Sequence, residues 1–323
     1  MDTVPLMRAI QVTTLDGPKA VQLVDLPEPG GDGQVVVEVH AAGVNFPDVL
    51  QTRGLYQIKP PLPFVPGSEV AGTVVSGPGF APGTRVAAFP GWGGFAERVA
   101  VAPGMVFPLP DRVSFAEGAA LPMNYLTVDF ALVRRAALRP GETVLVQGAA
   151  GGIGVATIQL AKVLGARVIA VVSSDDKASV ARSAGADEVV GLDFRDRVKE
   201  LTGGRGVDVV MDPVGGDRFT DSLRCLAPEG RLLVVGFTAG DIPEVKVNRL
   251  LLNNLSVVGV GWGAFWLADP SYLQEQWARL LPHLESGALQ PLVGTSYPLE
   301  QAAEALLELD ERRARAKVLL TPR

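Results

Sequence analysis

The 323-residue chain has one cysteine, Cys225, and two histidines, His40 and His283, far apart in sequence. A lone cysteine excludes an internal disulfide and any metal site built on two thiolates of this chain. The histidine spacing excludes a His–His zinc pair on one element. Positive charge is scarce as well. Lys and Arg number 29 against 35 Asp and Glu, a net charge of −6, which argues against nucleic acid as a partner because phosphate neutralisation needs a basic surface. No apolar run of about 18 residues is free of charges and turn formers, so no transmembrane helix and no membrane partner are expected. The opening MDTVPLMRAIQVTTLDG lacks a basic segment followed by an apolar block and does not read as a secretory signal. A soluble cytoplasmic protein is the expectation.

Apolar residues make up 47% of the chain, enough for an ordinary core. At roughly 150 residues per domain the length suggests two domains. The first 120 residues are rich in short β-type runs, Gln34–Ala41, Val70–Ser76 and Arg85–Phe89, parted by turn clusters such as PEPGGDG and SGPGFAPG. This pattern fits an irregular β-barrel-like domain or a sandwich and does not separate the two. Beyond residue 120 the texture changes. Apolar strand candidates recur near 143, 167, 187, 207, 231 and 255, with helix-compatible stretches such as VATIQLAKVLG and DKASVARSAG between most of them. Continuous apolar strands are buried on both faces, so the fold class expected here is α/β, a doubly wound six-stranded parallel Rossmann sheet. In the tail, helices are predicted over Pro270–Ser286 and Leu299–Asp310, and a last strand over Lys317–Leu320.

The sharpest chemical motif is TVLVQGAAGGIGVATIQLAK, residues 143–162. A strand ends at Gln147, Gly148 and Gly151 permit a tight turn close to a pyrophosphate, and Gly154 lets the next helix pack near the strand. With Gly152 and Ile153, these residues open a helix whose N-terminus presents N–H groups to phosphate. The glycine spacing differs from the usual G-x-G-x-x-G, but strand, turn and helix follow in the right order for a dinucleotide. Specificity is read at the second strand end, VVSSDDK. Ser174 and Lys177 suit a 2′-phosphate and so NADPH, whereas Asp175 and Asp176 argue for NADH unless they simply face solvent at a helix start. MDPVGG (211–216) and VGFTAG (235–240) follow the fourth and fifth strands and place Val214 and Phe237 where open α/β sheets bind ligands.

Together with AAGVNFPDV (41–49), RGLY (53–56), PGSEVAG (66–72), GVDVVMDPVGG (206–216), GRLLVVGF (230–237) and RARAKVLL (313–320), these motifs give a chain that resembles the medium-chain dehydrogenase/reductases, in their zinc-free quinone oxidoreductase branch. The resemblance implies a GroES-like catalytic domain formed by residues 1–120 with 266–323 and a Rossmann domain over 121–265. Asn45, Ser68 and Met123 stand where zinc-dependent relatives carry ligands, and none of the three is a thiolate or imidazole. The resemblance therefore implies hydride transfer from NADPH without zinc, to a quinone or conjugated enone. It places Tyr56 and Asn45 in the substrate pocket, Thr127 beside the nicotinamide and Arg312 near the adenosine phosphate. Tyr56 is either a proton donor or a packing aromatic. Asp48 and Glu69 match acids that stand behind the metal in zinc relatives and are read as structural. The aromatic that flanks the phosphate in some NADPH-binding members is replaced by Leu192. An enoyl-thioester reductase and a non-catalytic NADPH-binding protein are the rival readings. A homodimer is expected through the edge strand LSVVGV, residues 255–260.

Overall fold

A computed structural model describes residues 5–322 of the chain, in two units. Within the described residues, the first comprises 5–123, 270–285 and 290–322; the second comprises 124–269 and 286–289.

The first unit is β-rich. Its strands are β1 (Leu6–Gln11), β2 (Gln22–Pro27), β3 (Val35–Val44), β4 (Glu69–Ser76), β5 (Arg85–Ala88), β6 (Arg98–Val101) and β7 (Val106–Pro108). β1 and β2 form an antiparallel ribbon. The other five join two strands from the C-terminal segment in one mixed seven-stranded sheet, so the sandwich alternative is not what forms. β3 is longer than its apolar run suggested because it serves different partners at its two ends. Val35–Glu38 pair with β6, while Ala42–Val44 pair with the last strand of the chain, and β4 lies along the other side. Alternating buried valines of β3, β4 and β5 form the core, and the helix Ala302–Asp310 covers it. Its sequence does this by spacing. Leu299, Ala302, Ala305 and Leu306 recur at helical period and turn one face inward. Within this sheet Gly72 cannot be replaced freely, since a Cβ there would lie 1.8 Å from the Glu38 carbonyl oxygen.

The second unit carries β8 (Thr143–Val146), β9 (Arg167–Val171), β10 (Glu188–Val190), β11 (Val207–Asp212), β12 (Leu226–Val234) and β13 (Ser256–Gly259). All pairings are parallel, in the order β10-β9-β8-β11-β12-β13. This is the doubly wound arrangement. The chain starts in the middle at β8, builds outward on one side, then returns and builds on the other. The turn after β8 therefore lies at the reversal of strand order, where such sheets bind ligands. β8 and β11 lie at the centre, and their apolar residues Val144–Val146 and Val209–Met211 are fully buried, as burial on both faces requires. β13 is the edge.

The C-terminal strands β14 (Val293–Pro298) and β15 (Lys317–Thr321) pair in parallel, and β15 inserts beside β3 of the first unit. Its first residue, Lys317, is thereby brought level with the end of β3, next to Asn45. Among the described residues no helix is long and apolar enough to cross a membrane.

The close approach at Gly72 gives a test of this sheet. Gly72→Ala is expected to destabilise by about 3 kcal/mol, the upper range for overpacking a tight interior, as read by urea unfolding. An unchanged midpoint would contradict the β3–β4 register.

Candidate active site

Two clusters carry the chemistry, one in each unit.

In the second unit the glycine-rich turn leads from β8 into the helix Gly152–Val163. Gly148 has a positive φ of 59°, and the Gly151 N–H donates to its carbonyl at 3.0 Å, closing the tight turn. A Cβ on Gly154 would come within 2.4 Å of the Gly148 oxygen, so only glycine lets helix and turn meet. Gly151 caps the helix without a side-chain bond, leaving the first-turn N–H groups to a ligand. The Ala149 N–H donates to Val171 O at 3.2 Å, tying the turn to the end of β9. There Ser174 caps the following helix, accepting from the Lys177 N–H. Ser174, Asp175 and Asp176 are exposed, and both acids lie in the first helical turn, where negative charge is favoured.

Val214 and Phe237 gather at the same end of the sheet. Asp212, the last residue of β11, accepts from the N–H groups of Val214 and Gly215 at 2.8 and 2.9 Å. Burial pushes its carboxyl above the usual range, and the two N–H donors oppose this. The turn so held sets Val214 against Gly148 and Gly215 against the Phe237 ring. Thr127 is buried on the helix Pro122–Asp129. Tyr125 on that helix donates through its hydroxyl to Gln159 Oε1 at 2.7 Å, anchoring it to the helix Gly152–Val163. Asn124 packs against Gly152, where a Cβ would meet its amide at 2.7 Å. Asn124 escaped sequence reasoning because a lone amide in an apolar helix carries no motif. Arg312 belongs to the first unit, exposed, in a left-handed conformation after the helix Ala302–Asp310. The residues around the turn fit a dinucleotide: a small-residue cradle, an uncapped helix start and a buried threonine.

The second cluster lies in the first unit and is built on charge. Lys317 Nζ donates to Asn45 Oδ1 at 2.6 Å and to Glu69 Oε1 in a very short contact. The Lys317 side chain is 3% exposed and that of Glu69 0%, so the pair is dry. Asn45 Nδ2 donates to Glu69 Oε1 at 2.9 Å and, more weakly, to Ser68 Oγ and Gly43 O. The other Glu69 oxygen accepts from the Met123 N–H at 2.7 Å, at the start of a helix, where the dipole favours a carboxylate. Every polar atom of the Asn45 amide is thus engaged inside the protein. Sequence reasoning missed Lys317, which reads as an ordinary strand-start lysine and meets its partners only through tertiary pairing.

Asp48 sits one helical turn beyond Asn45. Its Oδ2 accepts from the Asn45 N–H at 2.7 Å, while Oδ1 is buried without a partner, as is Gln51 Oε1. Burial pushes the Asp48 carboxyl up to about 7, against the Asn45 N–H and the Lys317 charge, which favour ionisation. Tyr56 is half-buried near Asp48. Burial first and the Asp48 charge second raise its phenol above the ordinary value, so it keeps its proton across the physiological range. No hydrogen bond among the described residues engages its hydroxyl. The donor set does not suit zinc. Asn45, Ser68 and Met123 offer neither thiolate nor imidazole, an ammonium already binds Glu69 and Asn45, and no group of three His, Cys, Asp or Glu able to hold a metal occurs among the described residues. The single thiol, Cys225, is buried in the second unit and pushed up to about 12, chiefly by burial, which leaves it inert.

Comparison with known proteins follows this geometry. A family described as "Alcohol dehydrogenase GroES-like domain" matches residues 31–111, and one described as "Zinc-binding dehydrogenase" matches residues 152–286. The chain is 40% identical over 322 residues to quinone oxidoreductase-like protein 2 of Rattus norvegicus, covering 97% of this chain and 92% of that protein. A probable oxidoreductase from Mycobacterium abscessus superposes with a TM-score of 0.91 at 48% identity, covering 99% of this chain and 100% of that one. The quinone oxidoreductase from Thermus thermophilus, whose structure was also solved in complex with NADPH, gives a TM-score of 0.85 at 39% identity, covering 98% of this chain and 100% of that one.

The elevated Asp48 carboxyl has a sign that can be checked. A folded value of about 7, above the ordinary 3.8, means ionisation opposes folding. This contribution to stability is complete below about pH 4 and is lost as pH rises through 7, to a limit of about 4 kcal/mol. Asp48→Asn is expected to flatten that fall in a urea unfolding series from pH 5 to 9; identical pH slopes for both proteins would contradict it.

Proposed function

This chain belongs to the medium-chain dehydrogenase/reductase superfamily, among its quinone oxidoreductase-like NAD(P)H-dependent reductases, and we propose that it is a zinc-independent enzyme that reduces a quinone or a conjugated enone with NADPH. The observation that carries the reading is the donor set of the first unit, in which Lys317 is bonded to Asn45 and Glu69 and no thiolate or imidazole is present. An acceptor handled there must need no Lewis acid. Bound NADPH would supply a hydride from C4 of its dihydronicotinamide, which conjugated acceptors take up because the charge spreads through their π system.

The residues of this chain then have separate tasks. Gly148, Gly151, Gly152, Ile153 and Gly154 hold the pyrophosphate against backbone N–H groups. Val214, Phe237 and Thr127 flank the nicotinamide half. Ser174 and Lys177 receive the 2′-phosphate, and Arg312 is a further phosphate ligand. Tyr56 Oη holds its proton toward the acceptor oxygen, where negative charge develops, and its raised value keeps that proton in place until then. Asn45 shapes the pocket from behind, since its own amide is fully occupied. The binding energy of the dinucleotide serves placement and exclusion of water.

The test is a spectrophotometric screen of NADPH and NADH oxidation against quinones, enones, aldehydes and enoyl thioesters, with metal content measured on the same sample. The expected outcome is turnover with quinones or enones, preference for NADPH and no stoichiometric zinc, with Tyr56→Phe lowering kcat by about 10²-fold. Turnover confined to enoyl thioesters would favour the rival reductase. Unchanged kcat in the variant would remove the proton-donor role.

A homodimer is the second part of the proposal. β13 is a sheet edge, and Ile242, Val247, Leu251 and Leu252 nearby are each about three-quarters exposed. An unpaired edge beside apolar side chains suits a second copy of this chain. Light scattering is expected to give a dimer, and Leu251→Glu with Leu252→Glu a monomer; a wild-type monomer at micromolar concentration would contradict it.

A further inference from the structure

We propose that Lys317 is the resident cation of the substrate-side site, a positioning residue whose fixed ammonium does the work a bound metal would otherwise do for Asn45, Glu69 and Ser68. The inference rests on the reading of the function given above and goes beyond it by assigning a role to Lys317, which the sequence shows only as one residue of RARAKVLL.

Three observations carry it. First, the ammonium is almost completely buried and bonded to both Asn45 Oδ1 and Glu69 Oε1, so it is a built site and not a surface lysine folded inward. Second, its contacts run on in one direction. Lys317 Nζ donates to Asn45 Oδ1, and Asn45 Nδ2 donates to Ser68 Oγ at 3.2 Å, while no acceptor among the described residues takes the Ser68 hydroxyl hydrogen. A cation at one end of such a chain polarises each link toward donation at the other. Third, the charge is needed where it is. Glu69 is fully buried, and among the described residues the donors to its carboxylate are Lys317, the Asn45 amide and the Met123 N–H. Asp48 lies on the next turn and feels the same ammonium. A buried carboxylate and an amide oxygen bonded to one positive centre are the company a metal ion keeps, and here an amino group fills the centre. The geometry also explains the lack of metal-binding side chains: a divalent ion at this point would have to displace a covalently tethered charge.

The test separates charge from volume. Lys317→Ala leaves a space the size of an alkyl ammonium. The expected result is a lowered unfolding temperature and kcat reduced at least tenfold, with the Kd for NADPH unchanged within about twofold. Propylammonium at tens of millimolar should restore both properties in part, and propanol, of the same size but neutral, should restore neither. Equal effects of the two additives would show a filled cavity and overturn the proposal, as would a variant with wild-type stability and turnover. The pair Glu69→Gln with Lys317→Met guards against failure to fold. It removes both buried charges and is expected to recover the unfolding temperature while kcat stays at least tenfold low; full recovery of kcat would make the pair a structural filler. The unfolding arm needs no substrate. A wild-type protein inactive on every acceptor would therefore count against the proposed function, while the contrast between amine and alcohol would still decide the role of Lys317.

Discussion

The ammonium of Lys317 against the carboxylate of Glu69 is the contact around which the first unit is organised. Taking two charges out of water costs several kcal/mol per ion, and the attraction between them offsets this only where the remaining polar atoms are satisfied. Here they are. Asn45 supplies an oxygen to the cation and a hydrogen to the anion, and the Met123 N–H takes the second carboxylate oxygen. The pair also accounts for topology. Lys317 can reach Glu69 only if β15 lies beside β3, so the end of the chain must return to a sheet begun almost three hundred residues earlier. Removing one partner of such a pair commonly costs about 3–5 kcal/mol, because the other is left buried and uncompensated.

The dinucleotide side depends on a different constraint, close approach. Gly154 against Gly148 and Gly152 against Asn124 leave no room for a Cβ. The turn can then be compact enough for backbone N–H groups to meet a phosphate, and its place at the reversal of strand order puts it at the ligand end of the sheet. Asp212 contributes by spending its carboxylate on two backbone N–H groups, which fixes the Val214 turn against the Gly148 turn. Each cluster is thus prepared within its own unit, one by charge and one by the absence of side chains.

The parallel sheet was legible in the sequence because its strands are buried on both faces, so Val144–Val146 and Val209–Met211 read as unbroken apolar runs. The glycine turn was legible because its demands are local. β3 was foreseen only in part. Its last residues, including Gly43 and Val44, pair with a strand from the far end of the chain, and no local pattern announces that. The tail was readable as helix, helix and strand, yet the strand's first residue concealed a buried cation, because a lysine opening a strand is an ordinary surface feature. Asn45 was singled out by resemblance, but only the fold could reveal that its amide is fully committed. Asn124 carried no motif at all; its place follows from the Tyr125–Gln159 anchor one residue on.

The central claim is a hydride transfer that needs no metal. It is tested most directly by incubating chelator-stripped protein with NADPH deuterated at the transferring C4 position and a conjugated enone, and locating the label by mass spectrometry and NMR. The account predicts one deuterium at the β-carbon of the saturated product, at a rate indifferent to added zinc. Unlabelled product, or transfer that appears only when zinc is restored, would contradict it.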